Sequence, residues 1–250
     1  NFWQDWERPI HIEFYESGGS PGFQSNAGVK IFGGWSRAFP QRSLARYFRS
    51  GYGMSSLSYQ LFPNKAIDEF ESFILRNSGN DWNITHFRDV LMQSLVEKCD
   101  LDIQAYRPVV TFLNGKYWGI YNLREKISKY YLGFNHEIDP RNIDLLENDR
   151  AVIEGEGEHY QNLLDFIASH NLSNNSNYQY VCTQMDVENF IRYQISQIYY
   201  DNTDWPGNNI RYWRPRTVDG RWRWIIFDTD FGFCLYDPQG YSHNTLEFAT

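Results

Sequence analysis

Cysteine is scarce in this chain of 250 residues: only Cys99, Cys182 and Cys234 occur. They lie far apart and form no Cys-x-x-Cys or Cys/His ligand spacing, which argues against a structural zinc site. Three buried thiols packed as small hydrophobes are expected, with a single disulfide as the alternative. Runs of Lys and Arg are absent too, and 23 basic against 31 acidic residues give a formal net charge of −8. A nucleic-acid partner needs a basic face to neutralise phosphates, so that class is disfavoured. ATP stays open, because a few local cations, backbone amides and a metal suffice to hold it. No stretch reaches the about 18–20 apolar residues of a membrane span. The six histidines show no pairing with Ser or Cys that suggests a nucleophilic triad, and no internal repeat is visible.

Aromatic residues, by contrast, are abundant: 9 Trp, 18 Tyr and 18 Phe, within a hydrophobic share of 42%. That supports a sizeable core, and most of these rings are expected to fill it. The length allows one large domain or two small ones. The chain opens abruptly on NFWQDWERP and ends on LEFAT, and reads as part of a longer, multidomain protein.

Residues 9–16 alternate as a strand, a turn follows at ESGGSPGF, and 28–34 form a second strand ending at a glycine pair. A loop and a third strand are expected over 35–50. Ile67, Phe70, Phe73 and Ile74 give the spacing of a helix. Phe87, Leu91 and Leu95, with Val90 beside them, mark a stronger helix over 84–98, capped by Asn83 or Thr85. Residues 107–127 are a hairpin around Asn114-Gly115, a dipeptide suited to two positive-φ turn positions. The polar stretch 133–158 reads as a connection. Helices return at 159–169 and 187–200, the latter with Val187, Phe190, Ile191, Ile195, Ile198 and Tyr199 on one stripe and Asp186 as its cap. The order gives an α+β, two-lobed layout. Its N-terminal half (1–132) is β-rich with one main helix, and its C-terminal half (133–250) is mainly helical. Small ligands favour the cleft between such halves.

The chemistry gathers near the end. Asp204 precedes Asn209 by five residues, and a hairpin separates them from Asp228 and Asp230. One base, one amide and one or two acids suit Mg²⁺ held on a polyphosphate while a carboxylate receives a hydroxyl proton. Upstream, Gly33, Gly34 and Ser36 offer backbone amides that can approach a phosphate.

The blocks GVKIFGGWSRAFPQRSL (28–44), FILRNSGNDW (73–82), FLNGKYWGIYNLREKI (112–127), DNTDWPGNN (201–209) and FDTDFGF (227–233) resemble, in order, the spore-coat-protein-H (CotH) kinase-like family of atypical kinases. The resemblance implies a two-lobed, protein-kinase-like fold. In such a fold a catalytic-loop Asp accepts the substrate proton and an Asn holds a metal. Asp204 is then the base, with Asp201 as a second candidate, and Asn209 is the metal ligand, with Asn208 as its neighbour. Asp228, emerging from the apolar strand WIIF, is preferred to Asp230 of the literal Asp-Phe-Gly. Both reach one metal only if the strand has ended by Asp228. Related sequences carry a phosphate-binding Lys where this chain has Arg42; either Arg42 replaces it or Lys30 supplies the ammonium. Glu125 faces adenine, pairs with that cation, or simply bridges to Arg124 or Lys126. Arg76 and Asp81 serve as an ion pair or loop anchor. The family's domain continues past the last block, so part of the helical lobe is expected beyond this chain.

The implied function is an ATP- and Mg²⁺- or Mn²⁺-dependent kinase. It would phosphorylate Ser/Thr of a secreted or cell-surface protein, with a bacterial source. A non-catalytic pseudokinase, adhesin or binding module is the alternative, and a two-carboxylate carbohydrate enzyme a distant third.

Overall fold

The computed structural model describes residues 2–250. The chain forms two compact units. One comprises the residues up to Phe87 together with Gln104–Asn135, and the other comprises Arg88–Ile103 and His136–Thr250.

The first unit is built on a six-stranded antiparallel sheet. Its strands are β1 (Arg8–Tyr15), β2 (Pro21–Phe32), β3 (Ser43–Tyr47), β6 (Ser72–Arg76), β7 (Tyr106–Leu113) and β8 (Lys116–Glu125), in the order β1-β2-β3-β6-β8-β7. A two-residue pair, β4 (Leu57–Ser58) with β5 (Glu69–Phe70), lies in the connection between β3 and β6. Phe48, Leu57, Leu61, Phe62 and Phe70 from this connection and its short strands pack with Ala27, Phe73, Leu75, Tyr121 and Leu123 of the sheet. The helix expected from Ile67, Phe70, Phe73 and Ile74 is therefore not formed. Phe73–Leu75 are all buried in a central strand, and a short continuous apolar run fits a buried strand as well as a helix. The hairpin at Asn114-Gly115 is present, with φ of +50° and +75° at the two positions.

Between β6 and β7 the chain contributes helix α1 (Arg88–Leu95) to the second unit. The helix is shorter than its spacing predicts, and its orientation differs. Leu91 and Leu95 are exposed, while Asp89, Met92 and Gln93 are buried. Thr85 does not cap it; its N–H and hydroxyl both donate to Asp81, which anchors that loop.

Helix α2 (Lys129–His136) is followed by β9 (Ile143–Glu147) and β10 (Ala151–Glu154). The stretch read as a connection thus holds two strands. Acidic and glycine residues around IDLLE mask a segment that is buried from Ile143 to Leu146. Helices α3 (Glu158–Ser169), α4 (Asn175–Gln184) and α5 (Val187–Tyr199), strands β11 (Arg211–Pro215) and β12 (Arg223–Ile225), and helix α6 (Thr245–Ala249) complete the second unit. Its sheet runs β10-β9-β11-β12. Met92, Leu146, Leu163, Tyr193, Trp205, Tyr212, Trp222 and Trp224 form its core.

Asp186 caps α5 as expected, accepting from Asn189 N at 3.1 Å. The apolar stripe splits, however. Val187, Phe190 and Ile198 pack on the core, while Ile191, Ile195 and Tyr199 face outward. Buried polar groups replace them: Asn189 Oδ1, for instance, accepts from Trp224 N at 2.7 Å. No disulfide forms, and none of the three cysteines is buried as expected: Cys99 is exposed, and Cys182 and Cys234 are partly exposed. No helix of the described residues is long and apolar enough to cross a membrane.

Candidate active site in the acidic loop

The loop between α5 and β11 is shaped by two buried side chains. Asn202 is fully buried; its Nδ2 donates to Gln197 Oε1 (2.8 Å) and its Oδ1 accepts from Asp204 N (3.3 Å). Trp205 inserts into the core. With the loop pinned on either side of it, Asp204 is left partly exposed. Its Oδ2 accepts from Asn209 Nδ2 at 2.6 Å and from Asn208 Nδ2 at 3.1 Å. The Asp204–Asn209 pair picked out by spacing is thus a direct contact. Asn209 itself adopts a left-handed φ of +55°.

The far end of the loop is stapled by Asn148, in the turn after β9. Its Oδ1 accepts from Ile210 N (3.1 Å), its backbone N–H donates to Ile210 O (2.8 Å), and its Nδ2 donates to Asn208 Oδ1 (3.2 Å). Nothing local marked Asn148, because its partners lie about 60 residues on.

The hairpin of β11 and β12 returns the chain to Asp228. The strand ends at Ile225, and Asp228 takes a left-handed φ of +52°. The condition that regular strand cease before Asp228 is met. Burial holds the Asp204 carboxyl above the ordinary aspartate range, the Asn208 hydrogen bond pulls it down, and the negative charge of Asp228 raises it again. The two carboxylates are therefore electrostatic neighbours. Asp228 is partly exposed, whereas Asp230 is fully buried. Asp201 is otherwise engaged: it accepts from His243 Nδ1 (2.5 Å) and Thr245 Oγ1 (2.8 Å).

These groups fit a divalent cation. With Asn209 Nδ2 given to Asp204, its Oδ1 is left as a neutral oxygen donor beside a carboxylate pair whose mutual repulsion a cation would relieve. Among the described residues no three His, Cys, Asp or Glu side chains form a protein-only metal cage. Mg²⁺ is commonly held by one or two carboxylates and completed by waters and substrate phosphates.

The remaining residues singled out by sequence belong to the first unit. Lys30 on β2 lies 3.4 Å from Asp5 and 5.7 Å from the Tyr47 ring centre. Arg42 Nε donates to Arg37 O (2.9 Å), and its guanidinium lies 4.3 Å over the Phe2 ring. Gly33 O accepts from Arg37 Nε (2.6 Å) and Gly34 O from Arg37 N (3.2 Å), so the carbonyls of the glycine pair brace the turn at 35–38 that contains Ser36. Glu125, 3% exposed at the end of β8, accepts from Lys65 Nζ (2.6 Å), Ala105 N (2.8 Å) and Asn135 Nδ2 (3.1 Å). Lys65, sixty positions upstream, was not marked by any local pattern.

The family model of the CotH kinase protein matches residues 29–248. No curated protein matches the chain.

Proposed function

The chain belongs to the CotH kinase family, and from that premise we propose that it is an ATP- and divalent-metal-dependent protein kinase acting on Ser or Thr of an extracytoplasmic or surface protein. The observation that carries this reading is the Asp204 carboxylate, held by Asn209 and kept above the ordinary aspartate range by burial and by Asp228. When bound, the metal would neutralise phosphate charge and orient the transferred group. Asp228 and the Asn209 amide oxygen would hold it. Asp204 accepts the proton of the acceptor hydroxyl as that oxygen bonds to the γ-phosphorus and the bond to the leaving diphosphate breaks. Asn208 and Asn209 orient the accepting oxygen, since both donate to Oδ2. Lys30 or Arg42 is the cation this reading assigns to the phosphates.

One observation favours a second reading, a nucleotide-free binding module on the same fold. Lys30 is paired with Asp5, and the Arg42 guanidinium is stacked on Phe2, so both cations already have partners. Replacing Asp204 tests the first reading. Asp204→Ala should abolish phosphoryl transfer while leaving metal–nucleotide affinity near that of the unaltered protein. Undiminished turnover would remove Asp204 from the role.

A further inference from the structure

The segment after β12 has neither strand nor helix from Ile226 to Phe233, so no ladder fixes the carboxylates it carries. Asp228 is also left-handed, a conformation that a residue with a Cβ resists by about 1–2 kcal/mol. Within the second unit the hydrogen bonds of Thr229 and of the Gly232 and Phe233 carbonyls lead to one place.

That place is the first turn of α1. Asp89, 3% exposed, accepts from Thr229 N at 2.9 Å and from Thr229 Oγ1 at 3.0 Å. One turn on, Gln93 Nε2 donates to both Asp89 oxygens, at 3.0 and 3.2 Å, and steadies the carboxylate. Arg88 Nη1 reaches the other end of the segment and donates to the carbonyls of Gly232 (3.0 Å) and Phe233 (2.6 Å). The approach is close: a Cβ on Gly232 would stand 2.6 Å from Met92 Sδ and 2.9 Å from Tyr200 O. Phe233 N donates to Tyr200 O (2.6 Å), and the Tyr200 hydroxyl returns to Met92 O (2.7 Å). Thr229 stands between Asp228 and Asp230, so the clamp grips the backbone immediately beside both acids.

We propose that Arg88 and Asp89 are positioning residues for the metal-binding carboxylate segment, with Asp89 setting the backbone at Thr229 and thereby the direction of the Asp228 carboxylate. The inference rests on the functional reading above. Neither residue touches the metal in this role; each acts through the segment. A partner that orients a ligand carboxylate commonly contributes 10–100-fold to metal affinity.

The test measures a fluorescent ATP analogue by anisotropy, once with saturating Mn²⁺ and once with EDTA, and takes the ratio of the two affinities. Asp89→Ala should cut that ratio roughly 10–100-fold while leaving the EDTA affinity unchanged, a selectivity that general loosening would not produce. Asp89→Asn keeps an acceptor oxygen for Thr229 and should restore most of the ratio. Thr229→Val keeps the N–H and the bulk but loses the hydroxyl donor, and should fall between. If Asp89→Ala fails to fold by circular dichroism, the Asn and Val variants decide. Should Asp228→Ala lose the Mn²⁺ gain while Asp89→Ala and Thr229→Val keep it, the positioning role is overturned and the functional reading stands. Should Asp228→Ala itself keep the gain, the metal assignment falls and takes the positioning role with it.

Discussion

A carboxylate that must take a proton from a hydroxyl benefits from being a stronger base than an ordinary aspartate. Burial, and then the charge of Asp228, move Asp204 in that direction. The same shift carries a cost in stability. Because the folded-state pKa lies above the unfolded value of about 3.9, the stabilisation from this group is complete below that value. It is lost as pH rises through the folded pKa. Asp204→Asn does not ionise and retains an oxygen for the Asn208 and Asn209 donors. Its melting temperature should therefore gain on the unaltered protein as pH rises above about 3.9. A difference that stays constant with pH would show that Asp204 is not shifted. Glu125 is a buried acid matched with a base. Removing Lys65 leaves that carboxylate with two neutral donors in a 3% exposed site. Lys65→Ala should cost about 2–4 kcal/mol in urea unfolding, and a loss below about 0.5 kcal/mol would mark the pair as a surface contact. Neither Lys65 nor Asp89 was legible in the sequence, for one physical reason. Their partners lie 60 and 140 residues away, and no local pattern encodes a pairing at that range. The Asp204–Asn209 contact was legible because it closes within one loop.

Among the elements, those whose signal is local read correctly and those defined by their surroundings did not. Asn114-Gly115 dictates its own turn, and Asp186 its own helix start. The stretch 66–76 carries helical spacing, yet its residues 72–76 are drawn into the middle of a sheet, between β3 and β8, and 69–70 into the short β4–β5 pair. On α1 and α5 the expected apolar stripes point partly outward, because the buried faces use Asp89, Gln93, Asn189 and Gln197 to make hydrogen bonds. Polar residues with specific partners outrank hydrophobic periodicity in setting the rotation of these helices. The turn after β9 shows the same dependence on partners. Asn148 tolerates its φ of +48° and supplies two side-chain hydrogen bonds to residues 208–210. Asn148→Ala loses both and adds backbone strain, about 1–3 kcal/mol together. The measurable outcome is faster amide hydrogen exchange at Ile210 with β11 unaffected; unchanged exchange there would mean the loop end holds itself.

At the level of the whole molecule, the mixed α/β character and the family followed from the ordered sequence blocks, while the grouping of α1 with the later residues did not. Chain order suggests that a helix flanked by strands belongs with them, but the hydrogen bonds of Arg88 and Asp89 run to residues 229–233. Nucleotide binding separates the two functional readings at this scale. ATP with Mg²⁺ or Mn²⁺ at about 100 times its dissociation constant adds about 2.7 kcal/mol of stability. For a chain of this size that corresponds to a rise in melting temperature of about 5–10 °C. Such a rise, reduced in Asp228→Ala, supports the kinase reading. No rise with either metal supports the binding module.

The thiol of Cys99 is exposed, while those of Cys182 and Cys234 are partly covered. It lies just beyond the end of α1, and its N–H donates to Val96 O at 2.9 Å. A thiol-reactive dye added in limiting amount should attach there first. The native sequence thus supplies an optical reporter close to the helix that grips the acidic segment, and any response of that helix to added Mg²⁺ or Mn²⁺ can be followed in solution without engineering a new attachment point.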